Sequence, residues 1–416
     1  MSALLERFAG SPLRPIAGKV AEGRRLSFED GVALFESPDV LGVGALANFV
    51  REKKHGNVGY YNVNRYLNPT NLCWVDCALC AWARKPGVDG GYTMSIDEAV
   101  AESAAGWHDG ITELHIVGGL HPSLPYSWYL DLLRALKVRF PGVHLKAWTM
   151  VEIDWIARVA KKDVVTVIRE LKAAGMDSCP GGGAEIFEKR VRDVICRDKI
   201  SGERWLEVAK LCHENGVKTN VTMLYGSVET IEDRVDHLVR IRKLQDVTGG
   251  FLGFIPLAFH PAETQLPDLP AATGLTDLKV IAIARLMLDN VDHVKAYWIQ
   301  IGEKLAPVAL HFGADDLVGT VTEETITHAA GAKTESGLSR AEMERMIRGA
   351  GREPFERDAF YERVARDESG RVLRANQHDF PKGDAEDSST VGTKGTGHAP
   401  SANASAASLD AAIASS

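Results

Sequence analysis

The chain has 416 residues, of which 45% are hydrophobic, and a formal net charge of −8. A chain of this length can bury a sizeable core, in one large domain or in two to three average ones. The negative charge argues against non-specific binding to nucleic acid or to anionic membranes, and no apolar run approaches the roughly 20 residues that span a bilayer. The N-terminal residues lack a signal-peptide core, so the sequence predicts a cytoplasmic protein with reduced thiols.

Composition divides the chain into four predicted segments. Residues 1–55 are predicted to form a helical cap, and residues 56–305 a core of alternating strands and helices. Residues 306–376 are predicted to be a C-terminal extension that completes this core. Residues 377–416 are rich in alanine, serine and glycine, and we expect them to be disordered because they cannot bury enough apolar surface to offset their ordering entropy.

In chain order, strand-like and helix-like segments alternate from about residue 60. A helix is predicted to begin at Ser95, where Glu98 completes a capping box, and another at Thr230. Later strands are predicted over 113–119, 144–150, 176–179, 217–225, 251–259 and 293–301, and further helices over 126–140, 163–174, 185–215 (in two pieces) and 276–290. Repeated βα units predict an α/β fold, a full or partial TIM-type barrel, with its site at the carboxyl ends of the strands.

Three cysteines follow the first predicted strand: Cys73, Cys77 and Cys80, in a C-x3-C-x2-C pattern with no fourth cysteine nearby. Iron–sulfur clusters and structural zinc sites are ordinarily closed by four protein ligands, so this loop leaves one metal corner open. The alternatives are buried core thiols, a zinc ion completed by His121, and a disulfide framework. The disulfide framework is the weakest alternative, since only six cysteines occur in 416 residues. The remaining three are predicted to be buried or incidental thiols: Cys179, Cys196 and Cys212.

Glycine, histidine and glutamate recur where the other predicted strands end, and these residues are the candidates for a binding site. They are Gly118, Gly119, His121, Glu152, Gly181–Gly183, Glu185, Tyr225, Gly226, Glu229, His260 and Gln300. Glycine lets backbone amides approach a ligand closely. Each candidate also has a structural interpretation: a tight turn for the glycines, a helix cap for Glu185, and polar packing for the histidines. No Gly-Lys-Ser/Thr follows the triple glycine, which argues against a P-loop.

The cysteine pattern resembles the signature of the radical S-adenosylmethionine (SAM) superfamily. Within it, the runs HIVGGLHPSLP, DSCPGGGAEIF, TNVTMLYGSVET and LHFGADDLVGT are similar to the aminofutalosine synthase family of menaquinone biosynthesis, over about residues 60–361. The resemblance implies a 4Fe–4S cluster held by the three cysteines, with SAM on the fourth iron. Gly118–Gly119 stand in the place of a Gly-Gly-Glu motif that holds the methionine amino group, although Leu120 replaces the acid. Further SAM contacts are implied for Glu185, Gly226 and Glu229.

The reaction that this resemblance implies consumes SAM as a co-substrate. The 5′-deoxyadenosyl radical adds to the enolpyruvyl double bond of 3-[(1-carboxyvinyl)oxy]benzoate, the aryl group migrates, and carboxylate is lost. The products are 6-amino-6-deoxyfutalosine, methionine and bicarbonate. The expected partners are this small-molecule substrate and an electron donor such as flavodoxin or ferredoxin, with no nucleic acid and no membrane.

The substrate candidates are His121, Glu152, Tyr225 and His260, and the sequence offers Lys146 and Arg234 as further cations for the two carboxylates. Three alternatives stay open. The chain could be a dehypoxanthine futalosine cyclase or an enzyme like the deazaflavin-chromophore synthases. It could also be a non-catalytic protein that binds a cluster or zinc for electron transfer or structure.

Overall fold

The computed structural model describes residues 2–108 and 110–373, so the tail predicted over 377–416 lies outside the described residues. Four helices come first: α1 (Ser2–Arg7), α2 (Arg14–Ala21), α3 (Phe28–Glu36) and α4 (Val40–His55). A capping box begins α3, because Ser27 and Asp30 each bind the other's backbone N–H. No helix among the described residues is long and apolar enough to cross a bilayer.

A seven-stranded parallel sheet forms the centre of the molecule. After β1 (Val58–Asn62), its strands follow in chain order: β2 (Asn64–Leu67), β3 (Glu113–Ile116), β4 (His144–Ala147), β5 (Ser178–Cys179), β6 (Lys218–Tyr225), β7 (Phe251–Ala258) and β8 (His293–Val294). Each strand pairs with the next in parallel, so spatial order equals chain order. The sheet curls into a half-barrel, which confirms the predicted α/β barrel class.

Helices connect these strands and cover the outer face of the sheet. They are α5 (Ile96–Ala104), α6 (Tyr126–Arg139), α7 (Met150–Ala160), α8 (Val164–Ala174), α9 (Lys189–Ile195), α10 (Gly202–Glu214), α11 (Ile231–Thr248) and α12 (Gly274–Met287). Helix α12 is buried along most of its length, since it packs against the sheet on one side and against α3 and α4 on the other. The core therefore lies mainly between sheet and helices.

The rest of the described chain lies near the two edges of the sheet. It contains α13 (Trp298–Ile301), α14 (Ala306–Ala309), β9 (Asp316–Gly319), α15 (Ile326–Ala329), α16 (Arg340–Gly349), β10 (Glu353–Glu356), β11 (Ala365–Arg366) and β12 (Val372–Leu373). Strand β1 pairs in parallel with both β9 and β10. Single bridges join Asp316 to Lys295, just after β8, and Thr322 to Arg65 in β2. Residues 316–322 thus contact both edge strands.

The helix starts predicted at Ser95 and Thr230 are confirmed, since both residues cap their helices with full capping boxes. Two predicted strands are wrong in their second halves. The strand predicted over 144–150 ends at residue 147, because Thr149 caps α7 and begins a helix. The segment predicted as a strand over 293–301 has two strand residues and then forms α13. Short apolar runs do not distinguish a buried strand from a buried helical turn.

The curled sheet encloses an accessible interior, which we call the lumen. Side chains alternate between the two faces of a strand. On β3, Leu114 and Ile116 are fully buried, whereas His115 between them is partly exposed. Tyr66 on β2 and the pair Ile255 and Leu257 on β7 are likewise partly exposed. Since helices cover the outer face, these four partly exposed side chains mark a space inside the barrel.

Candidate active site at the cysteine loop

The cysteine loop (Cys73–Cys80) follows β2 at the carboxyl end of the sheet and is tied down on both sides. The backbone N–H of Cys73 donates to the carbonyl of Arg84 at 2.9 Å. The N–H of Trp74 donates to the carbonyl of Leu120 at 2.8 Å, and that of Leu79 to Ile195 at 3.2 Å. The loop is therefore fixed by segments that follow β2, β3 and β5, all at the carboxyl end of the sheet.

The three thiols are free, and two of them accept backbone hydrogen bonds. Leu120 N–H donates to Cys73 Sγ at 3.3 Å, and Ala83 N–H donates to Cys80 Sγ at 3.4 Å. Burial raises the pKa of Cys73, and it raises the pKa of Cys77 to about 12. Backbone donors stabilise a sulfur that carries negative charge, whereas burial without a positive partner keeps it protonated. Because the sulfurs of Cys73 and Cys80 accept backbone hydrogen bonds, they suit thiolate ligands of a bound metal group.

The three thiols of the cysteine loop are not gathered closely enough in this structure to surround one zinc ion. Among the described residues, the three ligand atoms found within 4.8 Å of one another belong to His55, His293 and Asp315, and not to the cysteine loop. Sulfurs about 2.3 Å from one tetrahedral zinc ion would all fall within that distance of one another. His121 is also engaged elsewhere, because its Nδ1 accepts from two backbone N–H groups at 3.1 and 3.0 Å.

Gly118 and Gly119 pack directly on the backbone that leads into the cysteine loop. Gly119 N–H donates to the carbonyl of Thr70 at 2.8 Å. A Cβ atom on Gly119 would lie 2.2 Å from the carbonyl oxygen of Leu72, the residue before Cys73. At Gly118 the nearest atom to such a Cβ would be 3.3 Å away. Glycine is therefore required at residue 119 by close backbone approach, and far less so at residue 118.

Glu152 connects helix α7 to this glycine pair. Its carboxylate accepts from Gly118 N–H at 2.8 Å and from both the N–H and the hydroxyl of Thr149 at 2.7 Å. Burial raises the pKa of Glu152 to about 7, although these donors and Lys199 act in the opposite direction. Since its oxygens are already hydrogen-bonded, Glu152 orients the loop after β3.

Glu185 and Lys199 form an ion pair beside the cysteine loop. Lys199 Nζ lies 2.6 Å from Glu185 Oε1, and the glutamate is buried. The positive charge of Lys199 also lowers the pKa of Cys77, against the larger effect of burial. Helix α9 is capped by Glu188. The alternative interpretation of Glu185 as the cap of this helix is therefore wrong. Sequence reasoning missed Lys199, which lies in an irregular segment between two helices and carries no periodic signal.

The turn after β6 is held by Glu229. The carboxylate accepts from Gly226 N–H at 2.6 Å, from Ser227 N–H at 2.8 Å, and from Arg234 Nη2 at 2.7 Å. Gly226 has a φ of +88°, a conformation that favours glycine. The carboxylate of Glu229 and the guanidinium of Arg234 thus stabilise the turn that directly follows the carboxyl end of β6.

The structure separates the other predicted substrate residues. Tyr225 is buried and donates from its hydroxyl to Asp277 on α12 at 2.7 Å, so it contacts the helix layer. His260 is partly exposed, and its Nε2 lies 3.2 Å from the carbonyl oxygen of Gln300. Lys146 is buried in the barrel interior, where its Nζ lies 2.6 Å from Glu113. The lumen residues Tyr66 and His115, whose rings stack with centroids 4.4 Å apart, were missed.

Comparisons with known proteins identify the family of the chain. The model of the radical SAM superfamily matches residues 67–241, and that of the CofH/MqnC C-terminal region matches residues 248–369. Aminodeoxyfutalosine synthase of Thermus thermophilus is 49% identical over 85% of this chain and 96% of its own length. The chain belongs to the aminodeoxyfutalosine synthase family of radical SAM proteins. Members of the radical SAM superfamily use a 4Fe–4S cluster and SAM. The enzyme class, a transferase, follows from the aminodeoxyfutalosine synthase family.

Two relatives from Streptomyces coelicolor separate this family from a neighbouring one. Its aminodeoxyfutalosine synthase is 44% identical over 84% of this chain and 93% of its own length. Its cyclic dehypoxanthine futalosine synthase is 35% identical over 93% of this chain and 96% of its own length. Among solved structures, methylornithine synthase has a TM-score of 0.64 at 17% identity, covering 81% of this chain and 96% of its own, a likeness of fold alone.

Proposed function

We propose that this protein adds the 5′-deoxyadenosyl group of SAM to 3-[(1-carboxyvinyl)oxy]benzoate, forming 6-amino-6-deoxyfutalosine, methionine and bicarbonate. The observation that carries the proposal is the 49% identity to an aminodeoxyfutalosine synthase over most of both chains. The smaller similarity to the cyclic dehypoxanthine futalosine synthase, at 35%, makes that activity the competing outcome.

In this proposal Cys73, Cys77 and Cys80 hold a 4Fe–4S cluster. When bound, the cluster and SAM together supply the 5′-deoxyadenosyl radical. Support comes from the open three-thiol loop and from the backbone donors to two of its sulfurs. Lys199 adds a positive charge beside Cys77, which favours the thiolate form.

The SAM contacts in the proposal are mainly backbone groups. Gly118 and Gly119 lie next to the cysteine loop, and the turn at Gly226 lies at the end of β6. The carboxylates of Glu185 and Glu229 are already paired with Lys199 and Arg234. We therefore assign these two acids to positioning the backbone around the cofactor.

The lumen is the proposed position of the aryl substrate. Its walls offer the apolar side chains of Ile255 and Leu257 and the stacked rings of Tyr66 and His115. Such walls suit a benzoate ring and limit the access of water to a reactive carbon. His260 near the mouth of the lumen stays a substrate candidate, whereas Tyr225 on the outer face does not.

The test is to incubate the anaerobically reconstituted protein and SAM, with a chemical reductant, separately with the two candidate substrates and to weigh the products. We expect a product from 3-[(1-carboxyvinyl)oxy]benzoate only. Conversion of dehypoxanthine futalosine alone would overturn the assignment. Cys77→Ala should lose both the cluster absorbance and turnover. Cys212→Ala, which removes a buried thiol on α10, should keep both.

The electron donor and the cellular location also belong to the proposal. We expect a flavodoxin or a ferredoxin to reduce the cluster, and the protein to work in the cytoplasm. Replacing the chemical reductant by reduced flavodoxin in the same assay would check the donor.

A further inference from the structure

A second set of charged side chains lies inside the barrel, toward the amino ends of the strands. Glu113 and Asp316 are the first residues of β3 and β9, and Lys146, Lys295 and Arg357 lie around them. All five are nearly fully buried, with Lys295 exposed by 2%. We call these five residues the charged floor. It lies opposite the cysteine loop, which follows the carboxyl end of β2.

The pairing within the charged floor leaves one cation over. Lys146 Nζ lies 2.6 Å from Glu113. Asp316 Oδ2 accepts from Arg357 Nε at 2.7 Å and from the Tyr361 hydroxyl at 2.7 Å. Lys295 Nζ is 3.8 Å from that same oxygen, beyond hydrogen-bonding distance. Three cations against two anions leave an excess of one positive charge. Lys295 carries it, since its Nζ has only this longer contact with Asp316 and the face of the Tyr361 ring, 5.5 Å from the centroid.

A buried ammonium group that lacks a hydrogen-bonded anion destabilises the folded state. Burial and the positive charges of Arg357 and Lys146 together lower the pKa of Lys295 to about 7, against the opposing effect of Asp316 and Glu113. An anion bound at Lys295 would remove this cost by completing the third ion pair.

Lys295 follows β8 directly and lies on the face of the sheet that bears Ile255, which is the lumen side. Gly253 on β7 lies beside it, and a Cβ there would be 3.2 Å from Lys295 Cε, so the glycine leaves room for the lysine stem. His115 on β3 is the register partner of Lys146 on β4, so this ring lies next to the charged floor. The ring of Tyr66 stacks on it at 4.4 Å. A ligand lying in the lumen would thus meet aromatic walls and then a cation.

We propose that Lys295 binds the ring carboxylate of the aryl substrate. The inference rests on the proposed function. In 3-[(1-carboxyvinyl)oxy]benzoate the ring carboxylate and the vinyl carbon stand at opposite ends of the molecule. The vinyl carbon has to meet the SAM carbon at the cysteine-loop end, so the ring carboxylate points toward the charged floor. Lys295 therefore selects for a benzoate over a simple phenyl ether.

The test measures equilibrium binding by the reconstituted protein with SAM present and no reductant. The probes are 3-(1-carboxyethoxy)benzoate, a saturated and therefore unreactive analogue, and 2-phenoxypropanoate, which lacks the ring carboxylate. Lys295→Met should raise the Kd for the dicarboxylate about 30–300-fold, the cost of removing one partner of a buried charge pair. Its Kd for 2-phenoxypropanoate should change less than about threefold, since the pairing carboxylate is absent.

Two controls separate charge recognition from structural damage. Lys295→Arg should restore the dicarboxylate Kd to within about tenfold of the wild type, because the charge is kept. Lys279→Met removes a lysine on α12 that binds the carbonyls of Phe35 and Ser37, and it should leave both Kd values unchanged. Equal losses for both probes, or no loss for the dicarboxylate, would overturn the role of Lys295.

The same variants distinguish this inference from the proposed function. If the wild-type protein converts 3-[(1-carboxyvinyl)oxy]benzoate and Lys295→Met does so with an unchanged KM, the inference alone is wrong. If the wild-type protein neither converts this compound nor binds its saturated analogue, the proposed function is wrong.

Discussion

Replacing Gly119 by alanine should displace the cysteine loop, and Gly118 offers a matched control one residue away. A Cβ at residue 119 would lie 2.2 Å from the Leu72 carbonyl oxygen and 2.7 Å from its carbonyl carbon. Both atoms belong to the backbone, so no side-chain rotation can relieve the contact. The residue after Leu72 is Cys73, and a shift of this carbonyl therefore moves a proposed cluster ligand.

The size of the effect follows from these distances. Ordinary contacts of a Cβ begin at 3.4 Å, so the shortfall at Gly119 is 3.4 minus 2.2, or 1.2 Å. Overpacking of this kind costs about 1–3 kcal/mol. For a chain of this size, with an unfolding entropy of about 2.1 cal/mol/K per residue, that corresponds to a decrease in Tm of about 1–4 °C. At Gly118 the nearest atom is the Thr70 carbonyl oxygen at 3.3 Å, only 0.1 Å inside ordinary contact.

The assay compares iron and sulfide content after anaerobic reconstitution, with Tm measured on the same samples. Gly119→Ala should keep less than about half of the wild-type iron, since ligand positions within about 0.5 Å matter for a preorganised site. Gly118→Ala should keep nearly all of it. A Gly119→Ala protein with full iron content and wild-type Tm would refute the reasoning, and so would equal losses in the two variants.

Four further predictions concern the buried charged side chains. Glu152→Ala should lower the free energy of unfolding by about 2–4 kcal/mol in urea titrations, because the N–H groups of Gly118 and Thr149 lose their acceptor. Burial raises the pKa of Glu152 to about 7, so protonation of this carboxyl group stabilises the folded state. This stabilisation is complete below pH 4.5 and is lost as pH rises through 7. Glu152→Gln should therefore flatten the curve of Tm against pH between these two values. Lys146→Met should cost about 3–5 kcal/mol, since it leaves the Glu113 carboxylate buried and unpaired, whereas Lys295→Met should not lower the Tm. The Kd of 3-(1-carboxyethoxy)benzoate, measured by calorimetry, should rise about tenfold per pH unit above 7 in the wild type and stay flat in Lys295→Met, because the free protein loses the Lys295 proton near that pH.

Much of the fold could be predicted because its signals are local. The capping boxes at Ser95 and Thr230 lie within four residues of chain each, and both helices begin where predicted. The alternation of strands and helices predicted the barrel class. The predictions failed where a short apolar run fits both a buried strand and a buried helical turn. The segment 293–301 is an example, because it contains two strand residues followed by a helical turn.

The candidate site was predictable only in part. The spacing of Cys73, Cys77 and Cys80 indicates an open metal corner without any knowledge of the fold. Whether a residue at the end of a strand faces the lumen or the helices depends on the register and the pleat of that strand. Tyr225, a substrate candidate from the sequence, donates to Asp277 on α12. Lys199 was missed because its partner Glu185 is separated from it by a helix and a loop.

The sequence by itself determined the metal chemistry, the alternation of elements and the family, because each is written in short contiguous runs. The tertiary structure decided which charges meet. Lys146 was a predicted carboxylate ligand, but folding pairs it with Glu113, 33 residues away in the chain. Folding also brings Arg357 to Asp316, 41 residues away, and so leaves Lys295 3.8 Å from an Asp316 oxygen that Arg357 already occupies. An excess charge is a property of a whole buried cluster, and only the folded half-barrel assembles that cluster.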